Sequence, residues 1–254
     1  MKWIYPYLRL MQRTCFAFII LVLSLKSLSQ PYYSDSVLVS HSSDFVKNFY
    51  NSARNNFSPL YNGLMHYPYS PFIEGTPYWI KDWQKGNIVF EGIFYENVIM
   101  KYDLVKDKVI VMSAEQGRVP LELLSQRVRE FYFLGLKFMY LDKNSFVSLK
   151  KGFYQELTGG SMIALCKTEK MMDERIVGTT IERKFVQTKK YFIISNDKLY
   201  TINSKNDLSK VFKDHKKEVL GHIKQMKLQF KKNKEQIITE AAAFYNKMER
   251  KGNE

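Results

Sequence analysis

The chain has 254 residues, a formal net charge of +14, 45% apolar residues and 15% aromatic residues. This composition excludes an intrinsically disordered chain, because disorder goes with few apolar and few aromatic side chains. The sequence contains only two cysteines, which excludes a small domain held together by several disulfides.

The first 29 residues have the three zones of a cleavable secretory signal. Basic residues come first, residues 15–25 then form an uninterrupted apolar run, and serines at 27 and 29 precede a cleavage point before Gln30. The apolar run is short compared with the roughly 20 residues of a membrane-spanning helix. A cleaved signal is therefore the preferred interpretation, and a permanent membrane anchor is the alternative. We expect residues 1–29 to be a signal peptide and residues 30–254 to be an exported domain.

A short helix is predicted over residues 43–53, near the start of the exported part. Ser43 suits the N-cap, and apolar residues follow at helical spacing, namely Phe45, Val46, Phe49, Tyr50 and Ala53. Two asparagines at 55–56 and a Ser-Pro pair at 58–59 end the pattern.

From residue 60 to about residue 200 the apolar period changes to two, which is typical of β strands. Turn residues at 96–97, 134–135, 158–160 and 196–197 leave connections so short that neighbouring strands must be antiparallel. We expect an α+β, mainly β fold with an antiparallel meander or barrel-like sheet. Its predicted strands are residues 88–95, 98–103, 109–112, 119–123, 128–134, 137–141, 152–157, 162–167, 182–188, 191–195 and 199–202.

Residues 204–250 return to a helical pattern. Ser204 and Asp207 have the spacing of a capping box, and the segment contains two or three amphipathic helices. We expect these helices to pack on the sheet, because short amphipathic helices gain most of their stability by burying the apolar stripe. In the last helix that stripe would be Ile237, Ile238, Ala241, Ala242, Phe244, Tyr245 and Met248.

Turn glycines and aromatic residues carry a resemblance that covers most of the exported part. They lie at positions 60–63, 75–77, 83, 86–92, 95, 102–103 and 152–154, and the match continues in the basic helical carboxyl terminus. In these segments the chain resembles a group of exported proteins of unknown function from Bacteroidetes-type bacteria. The resemblance implies export and a single domain, and it carries over no catalytic residue.

Positive charge is concentrated in the carboxyl-terminal helical segment. Residues 204–254 contain 13 Lys or Arg and 7 Asp or Glu. A positive helix face would suit an anionic membrane surface or an acidic partner, and the alternative is an ordinary solvated face. Nucleic acid is not an expected partner, because the chain is predicted to be exported and lacks the usual binding motifs. The lysines of this positive helix face are Lys213, Lys216, Lys217, Lys224, Lys227, Lys231, Lys232 and Lys234.

Three aromatic residues are the candidate ligand-binding residues: Tyr78, Trp79 and Trp83. If exposed, they could stack on sugar rings, because Tyr and Trp combine a large apolar body with a polar tip. If buried, they belong to the core of the sheet.

Residues for catalysis, metal binding or cofactor binding do not form a recognisable pattern. The four histidines are scattered, and Asp103 and Asp107 flank a turn without the order of a calcium loop. No nucleophile motif or phosphate-binding glycine loop is present, and Cys166 lies in an apolar stretch typical of a buried, inert thiol.

These observations lead us to expect a non-enzymatic envelope protein, periplasmic or outer-membrane associated, that acts as a structural or protein-interaction module without catalytic residues, metal or cofactor. Its partner would be an envelope protein or polymer. The alternatives are a carbohydrate-binding module using the exposed aromatics and a hydrolase of an unrecognised type.

Overall fold

A computed structural model describes residues 58–113, 117–142, 146, 149–212 and 215–252. Residues 57–254 form one compact unit. The predicted signal peptide and the predicted helix over residues 43–53 lie outside the described residues. One turn of 3₁₀ helix at Pro59–Tyr61 opens the described chain, and a second lies at Ser125–Arg127.

Eleven strands in the described part of the chain form one sheet in which every paired neighbour is antiparallel. The predicted mainly β, antiparallel architecture is therefore confirmed. The strands are β1 (Leu64–Met65), β2 (Gln84–Phe90), β3 (Ile93–Asp103), β4 (Lys108–Met112), β5 (Pro120–Glu122), β6 (Val128–Phe133), β7 (Leu136–Leu141), β8 (Gly152–Thr158), β9 (Met162–Val177), β10 (Thr180–Ser195) and β11 (Lys198–Thr201).

The strand order is β1-β5-β4-β3-β2-β6-β7-β8-β9-β10-β11. It contains two meanders, β2 to β5 and β6 to β11, which join where β2 pairs with β6. Short turns make most of these connections. Leu134 and Gly135 both have positive φ, as do Asn196 and Asp197, which is the geometry of a tight type I′ hairpin turn.

The predicted strand over residues 88–95 is wrong, because the chain reverses in its middle. Glu91 and Gly92 have φ of 51° and 78° and form the turn between β2 and β3. The residues predicted as the turn, Glu96 and Asn97, lie inside β3. Asn97 has φ 55° and stands where the β2–β3 register shifts, so its turn-like character makes a β-bulge within the strand.

The predicted strands at 162–167, 182–188 and 191–195 belong to one long hairpin. β9 and β10 are 16 residues each and pair along their whole length, from Met162 opposite Ser195 to Val177 opposite Thr180. The sequence pattern missed residues 168–181 because charged residues interrupt the alternation of apolar and polar side chains there, at positions 169–170 and 173–175.

Three helices follow the sheet: α1 (Lys205–Val211), α2 (Lys216–Gln225) and α3 (Lys234–Gly252). The predicted capping box is confirmed, since the Asp207 N–H donates to Ser204 Oγ at 3.2 Å and the Ser204 N–H donates to Asp207 Oδ2 at 2.9 Å. No helix in the described residues combines the length and apolar character needed to cross a membrane.

The helices pack on the sheet as predicted. Ile237, Ile238, Ala241 and Ala242 of α3 are buried in one cluster with residues of α1, α2, β9 and β10, and the other three residues of the predicted stripe pack against it. Cys166 is buried in the same cluster. Burial raises the pKa of its thiol to about 11, which favours the inert, protonated form.

A second cluster of buried residues draws most of its members from strands β2 to β8. Its centre is a set of aromatic side chains in mutual contact: Trp79, Tyr102, Phe131, Phe138 and Phe153. Most of these rings come from strands β3, β6, β7 and β8. Much of the high aromatic content therefore belongs to the core of the sheet.

Candidate functional site

The three predicted ligand-binding aromatics have different surroundings. Trp79 stacks on Tyr102 and meets the edge of Phe138, so it belongs to the core. Tyr78 and Trp83 are half-buried and flank Lys101, whose Nζ lies 4.8 Å from each ring centroid. Of the three, Tyr78 and Trp83 therefore remain as ligand-binding candidates.

Tyr78 takes part in a hydrogen-bonded chain that also contains His66 and Glu122. Its hydroxyl lies 2.8 Å from His66 Nε2, and His66 Nδ1 lies 2.8 Å from Glu122 Oε1. The carboxylate can only accept, so the Nδ1–H donates to Glu122 and Nε2 accepts from the Tyr78 hydroxyl when the imidazole is neutral. Lys106 Nζ donates to the same Glu122 oxygen at 2.6 Å.

Tyr69 and Asp103 lie beside this chain. The Tyr69 hydroxyl donates to both oxygens of Asp103, at 3.2 and 3.0 Å, and its ring meets Tyr78 edge-on. Asp103 also accepts the N–H groups of Val105 and Lys106. It is fully buried, and burial raises the pKa of its carboxyl against the effect of these hydrogen bonds.

Electrostatics in this cluster disfavour a tyrosinate. Burial, followed by the charges of Asp103 and Glu122, raises the pKa of Tyr78 to about 12. The pKa of Tyr69 is raised further by burial and by Asp103. Both phenols therefore act as hydrogen-bond donors, and the cluster holds the segment before β2 against β3 and β5.

Trp83 lies at a separate groove with a volume of about 540 Å³. Ile99 and Met112 provide apolar surface beside the indole, and polar side chains surround them: Gln84, Lys85 and Arg118. An aromatic ring next to hydrogen-bond donors is the composition of many small-ligand grooves.

The far half of the β9–β10 hairpin, which runs from Met171 on β9 through the turn to Val186 on β10, carries an unusual amount of exposed apolar surface. Ile176 and Ile181 lie directly opposite each other and are 79% and 53% exposed. Met171, Met172 and Val177 are also exposed. In the part of the chain that the structure describes, no strand pairs with the outer edge of β9 between Met171 and Val177.

The carboxyl-terminal lysines lie away from the apolar side of the helices. Lys234 is half-buried, and Lys213 lies outside the described residues. The other six lysines of the predicted positive helix face are exposed, namely Lys216, Lys217, Lys224, Lys227, Lys231 and Lys232.

Metal binding finds no support in the described ranges, where no three His, Cys, Asp or Glu side chains are grouped to hold an ion. Asp103 and Asp107, which flank the β3–β4 turn, make separate hydrogen bonds. Asp107 accepts from the Tyr102 hydroxyl and from Lys167 Nζ.

Comparisons with known proteins give no further guidance to the site. No family model matches the sequence, and the searches of curated proteins and of solved structures found no match.

Sequence reasoning missed two of these features. His66 and Glu122 are 56 residues apart, and only the β1–β5 pairing, which sets Leu64 opposite Glu122, brings them together. The long hairpin had a weak signal in the pairs of apolar residues at 171–172, 176–177 and 185–186, separated by charged residues that are unusual in strands.

Proposed function

We propose that this protein is an exported, non-enzymatic interaction module of the bacterial cell envelope, periplasmic or outer-membrane associated, and that the far half of the β9–β10 hairpin is its contact element. The observation that carries the proposal is the exposed pair Ile176 and Ile181 at the end of a 16-residue hairpin. The order of charged, apolar and small residues in positions 1–29 supports export.

The hairpin suits a partner that supplies an extended segment. Residues 171–177 of β9 present backbone N–H and C=O groups at a free edge among the described strands, and such an edge accepts an added strand. Exposed aliphatic side chains along this edge would bury apolar surface on the added strand, which contributes about 25 cal/mol per Å². The proposed partner is therefore an envelope protein with an extended, partly apolar segment.

Site-specific crosslinking in cells tests this proposal. A photo-reactive residue at Ile176 is expected to give a discrete adduct with one envelope protein, whereas the same residue at Ala243, on an exposed position of α3, gives none. The double variant I176D/I181D should lose the adduct from a photo-reactive residue at Val177 and keep its circular dichroism spectrum. Absence of an adduct at position 176, or equal adducts at 176 and 243, would contradict the proposal.

Export has its own test. In cell fractionation, the protein is expected outside the cytoplasm with an amino terminus at Gln30, which mass spectrometry of the intact chain determines. A cytoplasmic protein that retains residue 1 would overturn this part of the proposal.

The absence of enzymatic activity is also a proposal, and the His66 chain supports it. His66 is only 5% exposed and both of its ring nitrogens are hydrogen-bonded, so it is poorly placed to receive a proton from a bound substrate. A hydrolase using this histidine would lose its activity in His66→Gln while keeping its fold, and such a result would contradict the proposal.

Carbohydrate binding is a second candidate function, favoured by the groove beside Trp83. The indole could stack on a sugar ring while Gln84, Lys85 and Arg118 donate hydrogen bonds. Glycan-array binding that disappears in Trp83→Ala, with an unchanged denaturation midpoint, would support it. Trp79→Ala is an unsuitable substitution because it opens a cavity in the core.

We also propose that the sheet is curved like part of a barrel. β3 and β9 are five places apart in the strand order, yet the Lys170 N–H on β9 donates to the carbonyl of Leu104, just after β3, at 3.0 Å. Hydrogen exchange tests the curvature: the Lys170 amide should be protected like the amides of paired strands. Exchange as fast as in the exposed turn at Gly178 would contradict it.

A further inference from the structure

A cleft with a volume of about 740 Å³ lies where the β3–β4 turn, β7, the start of β8 and the β9–β10 hairpin come together. It is separate from the Trp83 groove. Among its lining side chains are Lys106, Lys108, Lys150, Lys151, Lys170 and Lys190.

The two carboxylates of the cleft are already neutralised by cations of the protein. Asp107 accepts from Lys167 Nζ at 2.5 Å, from the Tyr102 hydroxyl at 2.6 Å and from the Phe153 N–H at 3.2 Å. Glu169 accepts from Lys150 Nζ at 2.6 Å. These carboxylates therefore have little capacity to balance the remaining lysines.

The remaining lysines leave a surplus of positive charge. Six lysines against two carboxylates give the lining a net charge of +4. Within the described ranges, neither Lys108 nor Lys151 forms an ion pair, and Lys190 lies 3.9 Å from the already paired Glu169. Like charges in a concave site raise the local potential and attract anions.

A neutral donor completes the lining. Tyr140 of β7 faces the cleft, and burial, followed by the charges of Asp142 and Asp107, raises the pKa of its phenol. The hydroxyl therefore stays protonated and can donate a hydrogen bond to an anionic oxygen. The volume is within the roughly 300–1,000 Å³ of small-molecule sites.

We propose that this cleft binds an anionic ligand of the size of a phosphorylated sugar, with Lys108, Lys151 and Lys190 as its charge contacts and Tyr140 as a hydrogen-bond donor. The shared chemistry is a phosphate group on a polar body. The source is either a soluble phosphorylated sugar or the headgroup of an anionic lipid.

Isothermal titration calorimetry of the full chain measures binding of glucose 6-phosphate, glucose and inorganic phosphate. Co-sedimentation compares binding to anionic phosphatidylglycerol vesicles with binding to phosphatidylcholine vesicles. The variant K108Q/K151Q should weaken binding of the phosphate-bearing probe at least tenfold. Binding should also fall as salt rises, because exposed charges are screened. The control K216Q/K217Q removes two exposed lysines of α2 and should bind like the wild type.

Cleft-dependent binding of the soluble phosphate assigns the soluble source, and cleft-dependent binding of anionic vesicles alone assigns the headgroup. Both results support the proposal. Failure of every phosphate-bearing probe to bind, or equal losses in K108Q/K151Q and K216Q/K217Q, would overturn it. The variant I176D/I181D separates this site from the hairpin, because it should leave phosphate binding unchanged.

Discussion

One buried amide contributes to the docking of the last helix on the sheet, and Asn246→Ala tests how much. Asn246 of α3 is 6% exposed and spans the turn between β8 and β9. Its Oδ1 accepts from the Met162 N–H at 2.8 Å and from the Ser161 hydroxyl at 3.0 Å. Its Nδ2 donates to the carbonyls of Met162 and Gly159, at 2.8 and 3.0 Å.

The expected loss of stability follows from the backbone groups left behind. Alanine removes both partners of Met162, which is itself buried, and an unsatisfied buried polar group costs about 1–3 kcal/mol. The higher helix propensity of alanine offsets about 0.5 kcal/mol of this. We expect the free energy of unfolding to fall by about 3 kcal/mol, a large share of the roughly 5–15 kcal/mol of a typical domain.

Urea denaturation followed by circular dichroism measures this change. The neighbouring variant Lys247→Ala is the matched control, because Lys247 is exposed on the same helix and should change stability by less than about 0.5 kcal/mol. A loss below about 1 kcal/mol in Asn246→Ala would refute the reasoning, since it would mean that the Met162 groups find other partners.

Three further predictions concern other parts of the described chain. Gly152→Ala should destabilise the protein more than Gly178→Ala in thermal denaturation; both glycines have positive φ, but only at position 152 would a Cβ collide with Asp107. Burial raises the pKa of Glu122, but its hydrogen bonds outweigh this and leave the pKa below its ordinary value of 4.5. The stabilisation from ionised Glu122 is therefore present above pH 4.5, and it is lost as the pH falls through the lower pKa of the folded protein. Glu122→Gln should accordingly flatten the acid side of a stability-against-pH curve. Iodoacetamide at pH 8 should alkylate Cys166 at least about a hundredfold faster in denaturant than in the folded protein, by peptide mass spectrometry, because the folded thiol is buried.

Local patterns predicted the elements whose cause is local. The capping box at Ser204 and the apolar stripe of α3 depend on spacings of three and four residues, and the hairpin turn at Leu134 and Gly135 depends on two adjacent residues. The same local rule misplaced the turn near Asn97. A positive φ is needed both by a hairpin turn and by a bulge, and the sequence alone does not distinguish the two.

The pairing of distant segments could not be predicted in the same way. The His66–Glu122 contact requires β1 to pair with β5, and the basic cleft requires the turn before Lys108 to meet the segment before β8 and the side of β10. Each of these sites draws on residues that are separated in sequence and have no common spacing. Their charges are visible in the composition, but their convergence follows from the strand order.

The proposed anion site depends on where the positive charges lie and not on their total number. The largest share of the surplus charge is in the carboxyl-terminal helical segment, where Lys216 and Lys217 of α2 are exposed to water and salt. Exposed charges are screened over about 8–10 Å. The cleft beside Tyr140 holds fewer lysines, but they line a concave space whose carboxylates are already paired. An anion is therefore expected to gain more from the cleft than from the exposed pair Lys216 and Lys217, which is why K108Q/K151Q and K216Q/K217Q should differ although each removes two positive charges.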